Sequence, residues 1–317
     1  MADQTLAISS APAAATRLRP RFRWLSDRLL ATIFLSPTML LLIFITVFPL
    51  VWSLYLSFTK YSVIKDAATG PAWIGVDNYT NLLVDEAFWT RFGVSASFVV
   101  PAVLIELLLG FGIALLLNRN FKGRGLISTL ILIPMMLTPV VVGLFWRFML
   151  QGDIGVVNYF VRDVFGLEPV LWLTDQNVAM WAIVLVDVWQ WTPFIILISL
   201  AGLSAVPKYL YEAADVDRAS GWFKFRNITL PIVSPLLLIA VLFRVMDTYK
   251  LFDLAWVLTG GQPTNTKVLP IYLERLAFGN FDTGLSSAIG YIMLIVVIAL
   301  ANILIRVLNQ LKQGSNA

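Results

Sequence analysis

Ionisable and amide side chains interrupt the long apolar stretches of this chain and mark its candidate chemistry. Asp187 precedes Gln190 by three residues, and Arg244 precedes Asp247 by three, so each pair shares one face of a helix. A charged side chain at the centre of a membrane helix costs at least ~2.5 kcal/mol, so such groups usually face a cavity or a partner. Two interpretations stay open for Arg244 and Asp247: a self-neutralising structural pair, or part of a polar pocket.

Glu106 is a further acidic residue inside an apolar stretch, and it stands alone there beside Pro101 and Gly110. A hydrogen bond between helices, or a protonated carboxyl, accounts for an isolated acid in such a place. We therefore do not assign Glu106 to a binding site.

The composition excludes several kinds of active site. The chain has no histidine and no cysteine, so it lacks thiol nucleophiles, imidazole acid–base catalysts and zinc sites built from these side chains. It also lacks the phosphate-cradling G-x-x-x-x-G-K-[ST] motif, so any ATP hydrolysis belongs to another polypeptide. We expect no catalytic residue, no metal site and no bound cofactor on this chain, which argues against a membrane enzyme.

The elements that must position these side chains are membrane helices. Hydrophobic residues make up 59% of the chain and charged residues 13%, whereas a soluble domain carries roughly 25% charged residues. A membrane helix needs ~20 mostly apolar residues, and six segments reach that length. The sequence therefore predicts an all-α polytopic membrane protein with spans at about 29–56, 94–117, 126–150, 178–203, 232–257 and 285–307.

The distribution of charge predicts the orientation of these spans. Basic residues exceed acidic ones in the tail 1–28 and in the loops 118–125 and 204–231, whereas the alternate loops carry more acidic residues. By the positive-inside rule, the basic segments and both termini lie in the cytoplasm. The tail 1–28 has no apolar core or cleavage site and is predicted to be cytoplasmic, not a secretory signal; 311–317 is predicted to be a second tail.

The cytoplasmic loop 204–231 contains an ordered segment between two apolar stretches. Pro207 suits the start of a helix, because the N–H that proline lacks has no intrahelical partner there. Gly221 is the expected stop. We therefore predict a helix over 208–220.

Three side chains of this predicted helix suit contact with another protein. Ala213 and Ala214 are small enough to let a second surface approach the backbone closely, and Glu212 supplies a charge for a basic cleft. The alternative is an interfacial helix that only anchors the loop in the membrane surface.

The loop resembles the EAA loop of bacterial ABC-importer permeases, a short helix that seats in a cleft on the ATPase subunit. The resemblance is carried by YEAADVDRASGWFKFRNITLP at 211–231, where Glu212-Ala213-Ala214 is followed at the family spacing by Ile228-Thr229-Leu230-Pro231. One departure is Arg218, which stands where the family has glycine and leaves the turn geometry open. The resemblance implies that the ATPase-coupling residues are Glu212, Ala213, Ala214, Asp217 and Arg218.

Two outer segments resemble those of carbohydrate-type permeases, the sugar and glycerol-phosphate uptake family. Together with the coupling loop they cover most of residues 29–310, the expected permease domain. The matching residues are Trp73-Ile74-Gly75, Asn78-Tyr79 and Phe88-Trp89 in the first segment and Thr259-Gly260-Gly261-Gln262-Pro263, Thr266, Ala277-Phe278 and Gly284 in the last.

This resemblance implies a function, partners and a site. The chain is expected to form half of a sugar-translocating pore in the bacterial inner membrane, with a second permease, a dimeric cytoplasmic ATPase that binds ATP and magnesium, and an external solute-binding protein. Nucleic acid is not an expected partner. Family permeases line the sugar pocket from the fourth and fifth spans, where carboxylate and amide groups bind hydroxyls and aromatic faces pack on sugar C–H surfaces. The corresponding residues here are Asp187, Gln190, Trp191, Phe194, Arg244, Asp247, Thr248 and Leu251.

Two other classes of protein share some of these features. A secondary transporter also has buried charges and broken helices, but it needs its own coupling-ion site and has no use for a docking loop. The charges within the spans argue only weakly against the second class, a structural membrane subunit without transport activity. The sequence does not identify the solute: Arg244 could bind a sulfonate, phosphate or uronate, or simply neutralise Asp247.

Overall fold

The computed structural model describes residues 26–314, and this part of the chain is predominantly helical. Within it, five helices are long and apolar enough to cross a membrane, and a bent pair of shorter helices makes a sixth span if it is counted as one. This confirms the predicted all-α polytopic membrane fold. The α-helices are α1 (Asp27–Ser57), α2 (Asp77–Val84), α3 (Glu86–Leu117), α4 (Arg124–Met136), α5 (Pro139–Met149), α6 (Val156–Tyr159), α7 (Ala179–Ser204), α8 (Lys208–Val216), α9 (Gly221–Lys224), α10 (Leu230–Tyr249), α11 (Asp253–Thr259), α12 (Leu269–Glu274) and α13 (Thr283–Gly314).

Short irregular elements complete the described part of the chain. Three segments are π-helices, in which hydrogen bonds reach one residue further than in an α-helix: Phe160–Val164, Phe225–Thr229 and Arg275–Gly279. Thr264–Thr266 is a 3₁₀ turn. The two strands, Thr59–Lys60 (β1) and Ala72–Trp73 (β2), pair antiparallel in the register Thr59 to Trp73.

The predicted tails fall largely beyond this description. Of the tail 1–28, residues 1–25 lie outside the described residues. In the segment 311–317, predicted to be a C-terminal tail, α13 continues as far as Gly314, and residues 315–317 lie outside the described residues.

The chain divides into two units at Trp52 and Ser53. In the described part of the first unit, α1 exposes large apolar side chains around its circumference, among them Phe34, Leu40 and Phe44. A helix that is apolar all round is covered by lipid or by another protein when it lies in a membrane.

The second unit is built around α7, whose span is 61% buried. Helices α3 and α10 pack on α7, and Ile183 and Ile195 on α7 are almost completely buried. Gly110 on α3 permits this close approach, because a Cβ at that position would lie 2.6 Å from the Cβ of Ile195. Small residues allow membrane helices to approach in this way, so the α3–α7 contact fixes the frame that carries the polar side chains.

The predicted third span, 126–150, is wrong in shape. It consists of α4 and α5, which are bent by 98° at a two-residue break. Leu137 and Thr138 are extended there, with ψ angles of 146° and 144°. Pro139 explains the second of these, because proline disfavours helical backbone in the residue before it. The prediction from hydropathy merged α4 and α5 into one span, although the backbone bends between them.

The predicted fifth span, 232–257, is wrong at both ends. Helical structure begins at Gly221, before the predicted start, and ends at Tyr249, before the predicted end. Residues 253–259 form the separate helix α11, which buries Leu254 and Leu258 against the rest of the protein. Leu254 lies inside the predicted span, and its hydropathy extended the segment although its side chain belongs to the protein core.

Candidate functional site

Arg244 on α10 is the centre of a buried network that joins three helices. Its Nε donates a hydrogen bond to Oε2 of Glu106 at 2.6 Å, and its Nη2 donates to Oε1 of Glu106 at 2.8 Å. Nη2 also donates to Oδ2 of Asp187 on α7 at 2.8 Å. Arg244 is only 2% exposed, so these charge-assisted bonds compensate a guanidinium that has lost most of its contact with solvent.

Asp247 and Trp191 complete the surroundings of Arg244. Nη1 of Arg244 donates to Oδ2 of Asp247 at 3.1 Å, and the guanidinium carbon lies 4.9 Å from the centroid of the Trp191 ring. The Asp247 side chain is 58% exposed. Arg244 and Asp247 therefore do pair, but they do not form a self-contained pair, because the shorter bonds of Arg244 go to the two buried carboxylates.

Glu106 belongs to this network, which the sequence did not indicate. The hydrogen bond between helices that we considered for it is present, and Arg244 is its partner. Glu106 does not line the hollow beside Arg244, so it remains outside the set of candidate contact residues. Glu106 and Arg244 are 138 residues apart, so no local spacing could have paired them.

A hollow of about 340 Å³ opens beside Arg244. It combines aromatic and aliphatic walls with one guanidinium and one carboxylate. Four of the eight sequence-predicted site residues line it, together with Ile198 and Phe243, which lie one helical turn from Phe194 and Asp247 and could have been found by that spacing. The lining residues are Trp191, Phe194, Ile198, Phe243, Arg244 and Asp247.

The other four predicted residues do not line this hollow. Asp187 is buried behind Arg244. Gln190 donates from Nε2 to the carbonyl of Leu137 at 3.1 Å, at the break between α4 and α5. Thr248 is buried, and Leu251 lies beyond the end of α10 and packs against the core. Gln190 therefore supports the broken span, because it satisfies a carbonyl that the bend leaves without a helical partner.

The coupling loop contains the predicted helix in a shorter form. Helix α8 begins after Pro207 but ends at Val216 instead of Ser220. Arg218 adopts a left-handed backbone conformation, with φ of 53°. Arg218 thus takes the left-handed conformation that glycine readily adopts in a turn that ends a helix. Gly221 is not the stop, because it begins α9, where the Ser220 hydroxyl accepts a hydrogen bond from the Phe223 amide at 3.2 Å.

The predicted coupling residues divide between the surface and the interior. Glu212, Ala213, Asp217 and Arg218 are exposed. Ala214 is buried against the chain itself, so it supports the seating of α8 and does not face outward as predicted.

Two side-chain contacts join α8 to the segment that leads into α10. The Tyr211 hydroxyl and the Thr229 hydroxyl lie 2.8 Å apart within hydrogen-bonding distance. Nζ of Lys224 lies 2.6 Å from Oδ1 of Asp215. Thr229 is the last residue of the π-helix Phe225–Thr229, directly before α10. The exposed helix and the helix that carries Arg244 are therefore mechanically connected.

The opposite face of the protein carries a second hollow, of about 460 Å³, between the end of α5 and the loops that follow α5 and α11. Arg147 beside it donates from Nη1 to the carbonyl of Val257 at 3.1 Å. Nearby, burial lowers the pKa of Lys267, and the positive charges of Arg275 and Arg91 lower it further. This face thus combines an open cleft with a group of cations.

Helices of membrane-spanning length, a hollow of mainly apolar walls between α7 and α10, and an exposed helix in the loop between them are features of a membrane-spanning transport component. The family model for the binding-protein-dependent transport system inner membrane component matches residues 106–313, which include the hollow and the coupling loop. The chain belongs to this family. It is the permease component of an ABC importer, whose ATPase is a separate subunit.

Individual relatives agree with this assignment. A probable ABC transporter permease protein of Sinorhizobium fredii is 39% identical over 292 residues, which are 91% of this chain and 92% of the relative. A trehalose/maltose transport system permease protein of Thermococcus litoralis is 36% identical over 238 residues, 74% of this chain and 79% of the relative. In the crystal structure of a bacterial ABC transporter that imports the acidic polysaccharide alginate, one chain superposes with a TM-score of 0.76 at 23% identity, covering 89% of this chain and 95% of that one; this likeness concerns the fold.

Proposed function

We propose that this chain forms half of the translocation pore of an ABC importer for a sugar or sugar derivative. The observation that carries the proposal is the hollow beside Arg244, in which the rings of Trp191, Phe194 and Phe243 stand next to the exposed carboxylate of Asp247. Aromatic faces bury the C–H surfaces of a sugar, and a carboxylate accepts hydrogen bonds from its hydroxyls. The 36% identical relative is named for trehalose and maltose transport, which supports a sugar as the solute.

The proposed roles differ between the wall of the hollow and the layer behind it. Residues of the wall contact the solute directly. Residues behind it hold the wall in place: Asp187 and Glu106 fix the Arg244 side chain, and Gln190 fixes the break in the third span. The proposed solute contacts are Trp191, Phe194 and Asp247 of the predicted set, with Ile198 and Phe243 added, and the proposed supporting residues are Glu106, Asp187, Gln190, Thr248 and Leu251. Arg244 lines the hollow but belongs with the supporting residues, because its N–H groups are mostly engaged by carboxylates.

The hollow needs a further wall, which we assign to a companion permease. Phe243 is 56% exposed and Asp247 58%, so this chain alone leaves one side of a bound solute in contact with its surroundings. A second permease across a shared pore would close that side. The remaining proposed partners are a cytoplasmic ATPase dimer with ATP and magnesium, and an external solute-binding protein that meets the face with the second hollow.

The proposed orientation in the bacterial inner membrane has both termini in the cytoplasm, as the positive-inside rule predicts. Reporter fusions after Gly75, Gly155 and Gln262 should report the external side, and fusions after Gly123 and Gly221 the cytoplasm. A cytoplasmic signal after Gln262 would contradict this orientation.

Coupling to the ATPase is proposed to run through the exposed side of α8. A rigid helix that follows the closure of the ATPase subunits can rock the pore helices, as alternating access requires. Glu212 and Ala213 are exposed on α8, so they are available to contact the ATPase, with Asp217 and Arg218 at the following turn.

The test is solute uptake by the reconstituted transporter, purified through a tag on this chain with its companion subunits identified by mass spectrometry. Wild-type complex in proteoliposomes should take up trehalose or maltose only when ATP and the solute-binding protein are supplied. Glu212→Lys should abolish uptake while the protein stays in the membrane. The matched control is Glu168→Lys, which makes the same charge change on an exposed outer loop. Uptake without ATP would point to a secondary transporter and would overturn the proposal.

A further inference from the structure

We infer that the hollow beside Arg244 selects uncharged sugars over anionic sugar derivatives. This inference rests on the proposed function, since it specifies the solute class of the same site. An arginine at the wall of a sugar pocket suggests recognition of a sulfonate, phosphate or uronate. The contacts of Arg244 indicate the opposite.

The guanidinium of Arg244 has almost no donor left for a solute. An arginine side chain carries five N–H groups. Nε, both N–H groups of Nη2 and one N–H group of Nη1 are engaged by Glu106, Asp187 and Asp247. One N–H group therefore remains, whereas strong binding of a carboxylate or phosphate by arginine uses two parallel N–H groups.

The face of the guanidinium is also occupied. Its carbon lies 4.9 Å from the centroid of the Trp191 ring, so the π-face of that ring stabilises the cation on one side.

The charge around the hollow does not favour an anion. Three carboxyl groups surround one guanidinium, so the network carries no surplus of positive charge. Asp247 has by far the most exposed side chain of the four residues, at 58% compared with 2% for Arg244 and 0% for Glu106 and Asp187. An anionic group in the hollow would meet this carboxylate first and be repelled, whereas a hydroxyl would donate a hydrogen bond to it.

The experiment measures direct binding of a matched pair of sugars to the assembled transporter in nanodiscs, without the solute-binding protein, whose own selectivity would otherwise intervene. The probes are trehalose and trehalose 6-phosphate, and saturation-transfer difference NMR detects weak binding of each. We expect the phosphate to bind about tenfold more weakly, because like charges in contact at a protein surface repel each other.

Two variants connect the result to the residues. Asp247→Asn should narrow the difference between the two probes, because it removes the exposed charge and keeps the shape. Glu168→Gln, the same kind of change on an exposed outer loop, should leave the difference unchanged. Equal or tighter binding of trehalose 6-phosphate by the wild-type transporter would overturn this inference but not the proposed sugar transport. An Asp247→Asn variant that keeps the wild-type difference between the two probes would have the same consequence. Binding of neither probe would overturn both.

Discussion

Arg244 and Glu106 form a two-bond ion pair across 138 residues of sequence, with Nε to Oε2 at 2.6 Å and Nη2 to Oε1 at 2.8 Å. The pair fastens α10 to α3, and the additional bond of Arg244 to Asp187 fastens both to α7. Three helices of the second unit therefore depend on one cation. The position of the hollow is set by the same contacts that hold these helices together.

Removal of this cation should destabilise the protein more than removal of one of its partners. Arg244→Leu leaves the buried carboxylates of Glu106 and Asp187 without a counter-charge, and we expect a loss of about 3–5 kcal/mol in the free energy of unfolding. Glu106→Gln should cost less, because Arg244 keeps two carboxylate partners. Thermal unfolding of the purified complex measures both.

The control for this comparison is Arg162→Leu. Arg162 pairs with Asp163, but both side chains are well exposed, and such surface pairs contribute little. This variant should unfold at the wild-type temperature. A loss for Glu106→Gln as large as that for Arg244→Leu would contradict the central role of the cation.

A methyl group at Gly110 should separate α3 from α7. The Cβ of Gly110→Ala would lie 2.6 Å from the Cβ of Ile195, a distance at which the helices must shift. We expect a loss of about 1–3 kcal/mol in stability, as for other overpacked cores. Gly112→Ala is the matched control on the same helix, because its Cβ would meet no atom within 4 Å. Equal unfolding temperatures for the two variants would show that the close approach is unimportant.

The turn after α8 should be stabilised by the residue that the family has there. Arg218 has a φ of 53°, and a non-glycine residue pays roughly 1–2 kcal/mol for left-handed backbone. Arg218→Gly removes that cost but loosens the unfolded chain, so we expect a net gain of up to about 1 kcal/mol. Arg218→Val should instead destabilise, because a β-branched residue tolerates this conformation poorly. Thermal unfolding distinguishes the two, and a lower unfolding temperature for Arg218→Gly would contradict this account of the turn.

The hydrogen bond between Tyr211 and Thr229 should influence how efficiently ATP hydrolysis drives uptake. Arg244 lies fifteen residues beyond Thr229, about 22 Å along helical structure, so movement of α8 reaches the hollow through this connection. Tyr211→Phe removes the hydroxyl and should lower the amount of solute taken up per ATP hydrolysed, with little effect on assembly. Tyr159→Phe is the control, because Tyr159 is exposed and lies on α6, outside the segment that joins α8 to α10. If both variants take up the same amount of solute per ATP hydrolysed, this role of the hydrogen bond is contradicted.

Hydropathy was sufficient to predict the membrane helices, because a span needs a long apolar segment whatever its surroundings. It failed where apolar side chains serve the protein and not the lipid. Leu254 and Ala255 are buried in the second unit, and their hydropathy extended the fifth span past its true end. The bend before Pro139 had a sequence signal in that proline, which a count of apolar residues ignores.

The candidate site was predictable only in part, for a similar reason. Trp191 with Phe194, and Arg244 with Asp247, share helical faces, and local periodicity placed each pair together. Glu106 contacts Arg244 only through tertiary structure, and nothing in the sequence around Glu106 indicates that Arg244 is its partner. Gln190 shares a helical face with Asp187, yet its amide turns to the carbonyl of Leu137.

The π-helix at Phe225–Thr229 has a consequence for how this chain can vary in length. A turn closed by i→i+5 hydrogen bonds holds one residue more than the same turn of α-helix, and that extra residue is absorbed locally without rotating the helix beyond it. Deletion of one residue here would let the segment close as ordinary α-helix and leave Arg244 directed at Glu106. The same deletion within α10 would turn Arg244 by about 100°. The segment that joins α8 to α10 is thus also a place where the chain can lose a residue without changing which face of α10 is directed into the protein.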